Sequence, residues 1–313
     1  MKYTGILQQQ SSNNFKSLLL LVMFPALLIG LTWAFCAVVF PSSLTDDYYS
    51  MTSSEAFLNY VPIVLAATVI WFLIAYMFNS RMISSATSSK PLERRDNTRV
   101  YNLVENLCMA QGMPMPKVNV IEDRSLNAFA SGINNKSYTV TLSRGIIDRL
   151  DDAELEGVIA HELAHIRNRD VRLLVVSIIF VGIFTYIAQL AMRSFLYAPR
   201  RSGGKNDKSG AVVLLVVAVL AAIGYFFSLL LRFAISRKRE YMADAQAAEM
   251  TKNPRALASA LRKISGDPKI ESVTRDDIAQ LFIENPLSKK GGFSSLFATH
   301  PPIKKRIEIL EQF

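Results

Sequence analysis

Four stretches without a single charged residue set the terms for this chain: residues 17–40, 61–78, 173–192 and 211–231. Each reaches the roughly 18 apolar residues that a helix needs to cross the hydrocarbon core of a bilayer, and buried helices of water-soluble domains rarely run so long uninterrupted. With half of its 313 residues apolar, the chain is too hydrophobic for one soluble domain and is expected to be a multi-pass membrane protein. Lys2 and Lys16 precede the first stretch as they would in a secretory signal. Its 24 uncharged residues exceed a typical signal core, however, and no convincing cleavage site follows before Pro41, so it reads as an uncleaved anchor.

Orientation follows from the basic residues of short loops, which accumulate on the cytoplasmic side. Residues 41–60 carry Asp46, Asp47 and Glu55 and no Lys or Arg, so this connection is expected outside the cytoplasm. Lys2 and Lys16 before it, and Arg81, Lys90, Arg94, Arg95 and Arg99 after it, place both flanks inside. The loop 198–210 holds Arg200, Arg201, Lys205 and Lys208 against Asp207, which runs against the rule if the last two stretches both span. Their length favours spanning over dipping in, and the chemistry below requires only an even number of crossings between Asp170 and Ser236. The net charge of +9 is scattered around membrane segments rather than gathered in a patch, so the lipid bilayer is the expected partner and nucleic acid is not. Two cysteines, Cys36 in the first stretch and Cys108 in a polar region, make no disulfide framework.

Between and after these stretches the patterning changes. Alternation over 117–121 and 137–142 predicts strands, and Val100, Leu103, Val104 and Leu107 predict a helix over 97–111. Asp151 with Glu154 predicts a capping box opening a further helix. Later, a helix is expected over 236–249, another from Asn253-Pro254 with Leu257, Ala260, Leu261 and Ile264 as its apolar stripe, and a short one after Pro301-Pro302.

The helix opened by Asp151 carries His161-Glu162-Leu163-Ala164-His165. Residues four apart lie about 40° apart around a helix axis, so both imidazoles project from one face at a metal's bite distance. Glu162 stands beside them, placed to reach the attacking water rather than the metal. Two of the three histidines in the chain fall in this one motif; a pair of solvent-facing histidines is the bland alternative. A catalytic zinc needs a third protein ligand and an open fourth position. The extended motif HExxHxxGxxH is excluded, because Asn168 and Val171 occupy its glycine and histidine places. One other stretch fits well, Ser236 to Asp244 (SRKREYMAD), in which Glu240 and Asp244 share a face, unless they merely balance the basic residues 237–239.

HELAHIRNRD together with SRKREYMAD resembles the HtpX group of integral-membrane zinc metalloproteases, related to the CAAX prenyl endopeptidases and the OMA-type mitochondrial proteases. The similarity covers nearly the full chain. It implies one zinc ion held by His161, His165 and Glu240, Glu162 as catalytic base, and Asp244 as the carboxylate that orients a ligand histidine. It also implies that Asn127, Ala128, Phe129 and Ala130 lead into a substrate-binding edge strand, where an ordinary loop before a strand is the alternative. Thr299-His300-Pro301-Pro302 with Arg306 resembles the family's C-terminal motif; His300 is either a hydrogen-bond donor to the oxyanion or a helix-start residue held by prolines.

The expected fold is α+β and mostly helical, with four hydrophobic helices and a gluzincin-like catalytic domain bearing a small edge-strand sheet. Its expected divisions are a cytoplasmic N-terminus (1–16), a transmembrane hairpin (17–78), the first part of the catalytic domain with the HExxH helix (79–170), a second hydrophobic hairpin (171–235) and the second part of the catalytic domain (236–313). The expected activity is hydrolysis of polypeptides at the cytoplasmic interface of a bacterial cell membrane, the substrates being damaged membrane proteins by family resemblance. A membrane scaffold or transporter with a closed structural metal site is the rival, CAAX-type processing ranks lower, and homo-oligomerisation stays open.

Overall fold

The computed structural model describes residues 6–40, 51–197, 217–219, 222–224, 226, 238–267, 269–270, 273, 279, 281–284 and 301–313. The chain divides into two compact units, one of Leu18–Met77 with Ser177–Arg232, the other of Met1–Ser17, Phe78–Val176 and Phe233–Phe313.

The first unit is built on long apolar helices, α1 (Ile6–Val39) and α2 (Ser53–Thr87). Within them Ser11–Val39 and Ser53–Thr87 are long and apolar enough to cross a membrane. At 1.5 Å per residue the 29 residues of the first extend about 43 Å, more than the ~30 Å hydrocarbon core. Leu18, Val22, Trp33, Ile63 and Met77 are exposed, while Leu20, Phe24 and Leu28, spaced by four, form a buried stripe. Thr32 and Thr68 each donate their hydroxyl to the carbonyl four residues back, which satisfies the polar group where no water is at hand. The third hydrophobic stretch lies in helix α6 (Asp170–Tyr197). The fourth falls mostly outside the described residues, with 217–219 and 222–224 helical. Two of the four expected membrane helices are thus described as candidate spans.

The other unit contains a four-stranded sheet, β1 (Lys90–Pro91), β2 (Lys117–Ile121), β3 (Ala128–Ser131) and β4 (Thr139–Ser143), in the order β1-β2-β4-β3. β2 runs parallel to β4, while β1 and β3 are antiparallel to their neighbours, so β3 is a sheet edge, as expected. β4 starts two residues later than the alternation suggests. Ser137 and Tyr138 are spent on the turn, where the Ser137 hydroxyl accepts from the amides of Ile133 and Asn134. Gly132 makes that turn with φ of 110°, and a Cβ there would sit 2.4 Å from the Ser137 carbonyl oxygen.

The helices of this unit are α3 (Thr98–Ala110), α4 (Arg144–Arg149), α5 (Asp152–Arg167), α7 (Lys238–Thr251), α8 (Pro254–Ile264) and α9 (Ile303–Leu310). Their boundaries carry the expected chemistry. Asn97 caps α3 and Asn253 caps α8, and Pro254 occupies its first turn. Leu257, Ala260, Leu261 and Ile264 are fully buried, and Val100, Val104 and Leu107 are buried on α3, where Leu103 is only partly covered. Both cysteines are free and buried.

Helix α5 is the centre of this unit. It packs against α7, α8, α3 and β3 and has nearly every residue from Leu155 to Ile166 buried. The Asp151 carboxylate accepts from the Glu154 amide at 2.8 Å and Glu154 reaches back to the Asp151 amide at 3.1 Å, closing the capping box. Glu154 does more than cap: it also accepts from Ser259 at 2.7 Å and Lys263 at 2.6 Å, tying α8 to the start of α5. Gly157 lets the two helices approach closely, since a Cβ there would lie 3.2 Å from the Leu257 backbone.

Candidate metal centre

His161 and His165 lie one turn apart on α5, their rings at 89° with centroids 4.7 Å apart and their Nε2 atoms 3.2 Å apart. Glu240, in the first turn of α7, brings its carboxylate to 3.7 Å from His161 Nε2 and 3.6 Å from His165 Nε2. Among the described residues these three form the group able to hold a metal ion, with ligand atoms all within 4.8 Å of one another. Ligand atoms about 2.0–2.2 Å from a tetrahedral zinc stand about 3.3–3.6 Å apart, so the spacing and the N/N/O donor set both fit that ion. The site is buried, with His161 and Glu240 at 0% and 3% exposure.

Small residues allow this convergence. Ala160 and Ala164 on α5 and Ala243 and Ala247 on α7 are completely buried, which lets the backbones of the two helices come close enough for Glu240 to reach the imidazoles. A reciprocal amide pair fixes the far end of the contact. Asn168, the residue that caps the C-terminus of α5, donates to Gln246 of α7 at 2.9 Å and accepts from it at 3.3 Å.

Each imidazole has its own carboxylate on Nδ1. His161 Nδ1 lies 3.0 Å from Asp244, one turn after Glu240 on α7. Asp244 is in turn gripped by Arg306 of α9 through two bonds, Nε to Oδ2 at 2.8 Å and Nη2 to Oδ1 at 2.7 Å. His165 Nδ1 lies 3.0 Å from Asp170. Asp170 is five residues on, and it returns to His165 because Arg169 takes a left-handed φ of 60° between α5 and α6. A carboxylate on Nδ1 fixes the proton there and turns the Nε2 lone pair toward the metal position.

The electrostatics follow from burial and pairing. Burial opposes a charge on His161, but hydrogen bonds with Asp244 and Glu240 outweigh it and push the imidazole up to about 9. The same two carboxylates would favour a cation bound at the imidazole in place of the proton. Burial would raise Asp244 too, yet the Arg306 charge and the bonds from His161 and Arg306 bring it down to about 2. Burial lifts the Glu162 carboxyl above its ordinary 4.5, with His161 and His165 acting in the opposite sense. Glu162 is 2% exposed, beside both histidines on the helix.

Asn127, Ala128, Phe129 and Ala130 are all buried at β3, and the outer edge of that strand is already partnered by the chain itself. Ile283 donates its amide to the Ala128 carbonyl at 2.8 Å, Asn127 donates its side-chain amide to the Glu284 carbonyl at 2.8 Å, and Phe129 forms an antiparallel bridge with Phe282. The Phe129 and Phe282 rings lie 4.6 Å apart. Arg306 joins this segment to the metal centre by donating to the Ile283 carbonyl at 3.3 Å. His300 lies outside the described residues.

Two supporting residues had no role assigned from sequence. Asp170 closes the motif HELAHIRNRD, and the signal for it is the carboxylate just past the helix end; a five-residue offset matches no helical face. Arg306 is part of the C-terminal resemblance that begins at Thr299, but that resemblance does not mark it as a buried counter-charge.

Residues 94–313 match the family described as peptidase family M48. The chain is 59% identical over its full length, and that of its relative, to a protein of Bacteroides fragilis named "Protease HtpX homolog". A protein of the same name from Dictyoglomus thermophilum is 43% identical over 79% of this chain and 80% of its own. This chain belongs to peptidase family M48. The crystal structure of S. mikatae Ste24p matches with a TM-score of 0.47 and 21% identity, over 96% of this chain and 66% of that one. As an M48 member of the HtpX type the chain is a metalloprotease, and two of its helices are long and apolar enough to cross a membrane.

Proposed function

We propose that this chain is a zinc-dependent endopeptidase that cleaves membrane or misfolded polypeptides close to the cytoplasmic face of a bacterial cell membrane, with one zinc per chain. The observation that carries this reading is the convergence of His161 Nε2, His165 Nε2 and the Glu240 carboxylate, with Glu162 buried beside them. Two imidazoles and one carboxylate leave a fourth position of a tetrahedral ion open, which is the pattern of a catalytic rather than a structural site.

When bound, zinc supplies Lewis acidity that lowers the pKa of a water toward about 7 and polarises a carbonyl. Glu162 then takes a proton from the attacking water and delivers it to the leaving amine. Its burial beside the two histidines supports that role, since a general base must stand within reach of the proton it moves. Asp244 and Asp170 keep the two imidazoles oriented throughout. The polypeptide is read as binding extended along β3, taking the backbone contacts that Ile283 and Glu284 make with Ala128 and Asn127. His300 is assigned to the oxyanion of this reaction by family resemblance.

Location rests on the sequence order. His165 is eight residues before the third hydrophobic stretch and Glu240 nine after the fourth, so both arrive at the metal from the membrane boundary. The basic flanks of the first hairpin put that boundary on the cytoplasmic side.

The test is metal analysis and casein cleavage on detergent-purified full-length chain, with and without chelator, beside Glu162→Gln. Expected are one zinc per chain in both proteins, chelator-sensitive cleavage in the parent, and a loss of at least about a hundredfold in the variant. Cleavage retained by Glu162→Gln would remove the mechanism. Stoichiometric zinc with no hydrolysis in the parent would favour a scaffold with a structural metal.

A further inference from the structure

The support of His165 does not end at Asp170. Helix α1 brings Asn13 to it from the other end of the chain. Asn13 is 1% exposed, and both N–H groups of its side-chain amide are used: one donates to Asp170 Oδ1 at 2.6 Å, the other to the backbone carbonyl of Asn168 at 2.9 Å. The other Asp170 oxygen, Oδ2, faces His165 Nδ1 at 3.0 Å.

We propose that Asn13 is a positioning residue of the metal centre, acting through Asp170 on His165. The inference rests on the zinc reading above. A carboxylate held at one oxygen only can swing about its own bond; held by Asn13 at Oδ1, Asp170 presents Oδ2 to the imidazole in one orientation. The second bond holds the turn itself. Asn168 ends α5, so its carbonyl is among those that the helix leaves without a partner, and Asn13 satisfies it while anchoring the backbone from which Asp170 projects. Arg239 is the charged neighbour, reaching Asp170 at 3.7 Å, too far to set the orientation that the 2.6 Å bond sets. Only an amide does this work. An aspartate at position 13 would face Asp170 acceptor to acceptor and offer no donor to the carbonyl.

The first turns of α1 are therefore part of the metalloprotease unit rather than a tail preceding an anchor, consistent with the grouping of Met1–Ser17 with the sheet and α5. Removing the amide is expected to weaken zinc binding, because partners of a ligand histidine typically contribute about 10–100-fold in metal affinity.

The decisive measurement is zinc affinity by competition with a chromophoric chelator, on full-length detergent-purified chain, for the parent, Asn13→Ala, Asp170→Asn and the double variant. Asn13→Ala is expected to weaken zinc about tenfold and Asp170→Asn by 10–100-fold. The double variant should bind within about twofold of Asp170→Asn alone, since the first effect passes through the second residue. The visible spectrum of the cobalt-substituted protein should shift in Asn13→Ala. Unchanged zinc affinity and cobalt spectrum with a lowered unfolding midpoint would make Asn13 merely structural and overturn the proposal, as would effects that multiply in the double variant. If Asn13→Ala does not fold, Asn13→Leu fills the same space without a donor, and an affinity equal to the parent's would overturn the proposal. A parent that binds no zinc would instead sink the zinc reading.

Discussion

The two histidines of the proposed metal site are one turn apart on the same helix, yet they are held from opposite ends of the chain by different physics. His161 leans on Asp244, whose charge is neutralised by Arg306, a guanidinium 1% exposed with two bonds to one carboxylate. His165 leans on Asp170, whose partners nearest at hand are the neutral amide of Asn13 and, at 3.7 Å, Arg239. The side chain of His165 is 12% exposed against 1% for His161. One support is a buried ion pair and the other is mainly a hydrogen-bond relay. A buried charge that loses its partner is costly, while a relay that loses a link mainly loses alignment.

The difference is sharpest at Arg306. Arg306→Ala should destabilise the chain by about 3–5 kcal/mol in chemical unfolding, because it leaves Asp244 buried and uncompensated. Arg306→Ala together with Asp244→Ala, which removes both charges, should recover part of that loss. A cost below ~1 kcal/mol for the single variant would show that the pair is solvated and the contrast between the two supports false.

Next in size are the two carboxylates themselves. Asp244→Asn and Asp170→Asn should each weaken zinc by about 10–100-fold, read by chelator competition. Only Asp244→Asn should bring a large loss of unfolding free energy, since it takes from the buried Arg306 its two short bonds and leaves it Glu240 at 3.7 Å. Equal losses of stability in the two variants would break the comparison.

The smallest effect belongs to the other end of α5. Glu154→Gln should cost about 1–3 kcal/mol while leaving zinc affinity unchanged. Burial raises the Glu154 carboxyl, but bonds from Lys263, Ser259 and the Asp151 amide outweigh it and hold the group below its ordinary 4.5. Its stabilisation is therefore complete above about pH 4.5 and is lost as the pH falls through the lower folded value. The parent should lose stability faster than Glu154→Gln on acidification through that window, as followed by unfolding midpoints. Parallel pH profiles would remove Glu154 from the account.

How much of this was legible varies with distance along the chain. The capping box at Asp151, the cap at Asn253-Pro254 and the strand at 117–121 are written in a few adjacent residues, and the structure reproduces each. Alternation places the start of β4 two residues too early because turn bonds to the Ser137 hydroxyl compete with strand pairing, and periodicity does not register such competition. The partner of the β3 edge was not legible at all. Phe282 and Ile283 lie more than 150 residues from Phe129 and Ala128, in a stretch without clear periodicity. The two functions of Glu154 show the same boundary: the cap is local and was read, whereas the bonds to Ser259 and Lys263 are distant and were not.

The sequence by itself determined that this is a membrane chain with paired imidazoles on one helix face, because hydrophobic length and four-residue spacing are properties of the local backbone. It also singled out Glu240 and Asp244 as a candidate pair, since they share a face of their own helix. Only the tertiary structure decided that Asp170 and Arg306 stand behind the two histidines, that Asn13 reaches the same cluster, and that residues 281–284 lie along β3. Those relations depend on how helices separated by scores of residues pack, and burial of polar groups in that packing forces each to find a partner that no local pattern announces.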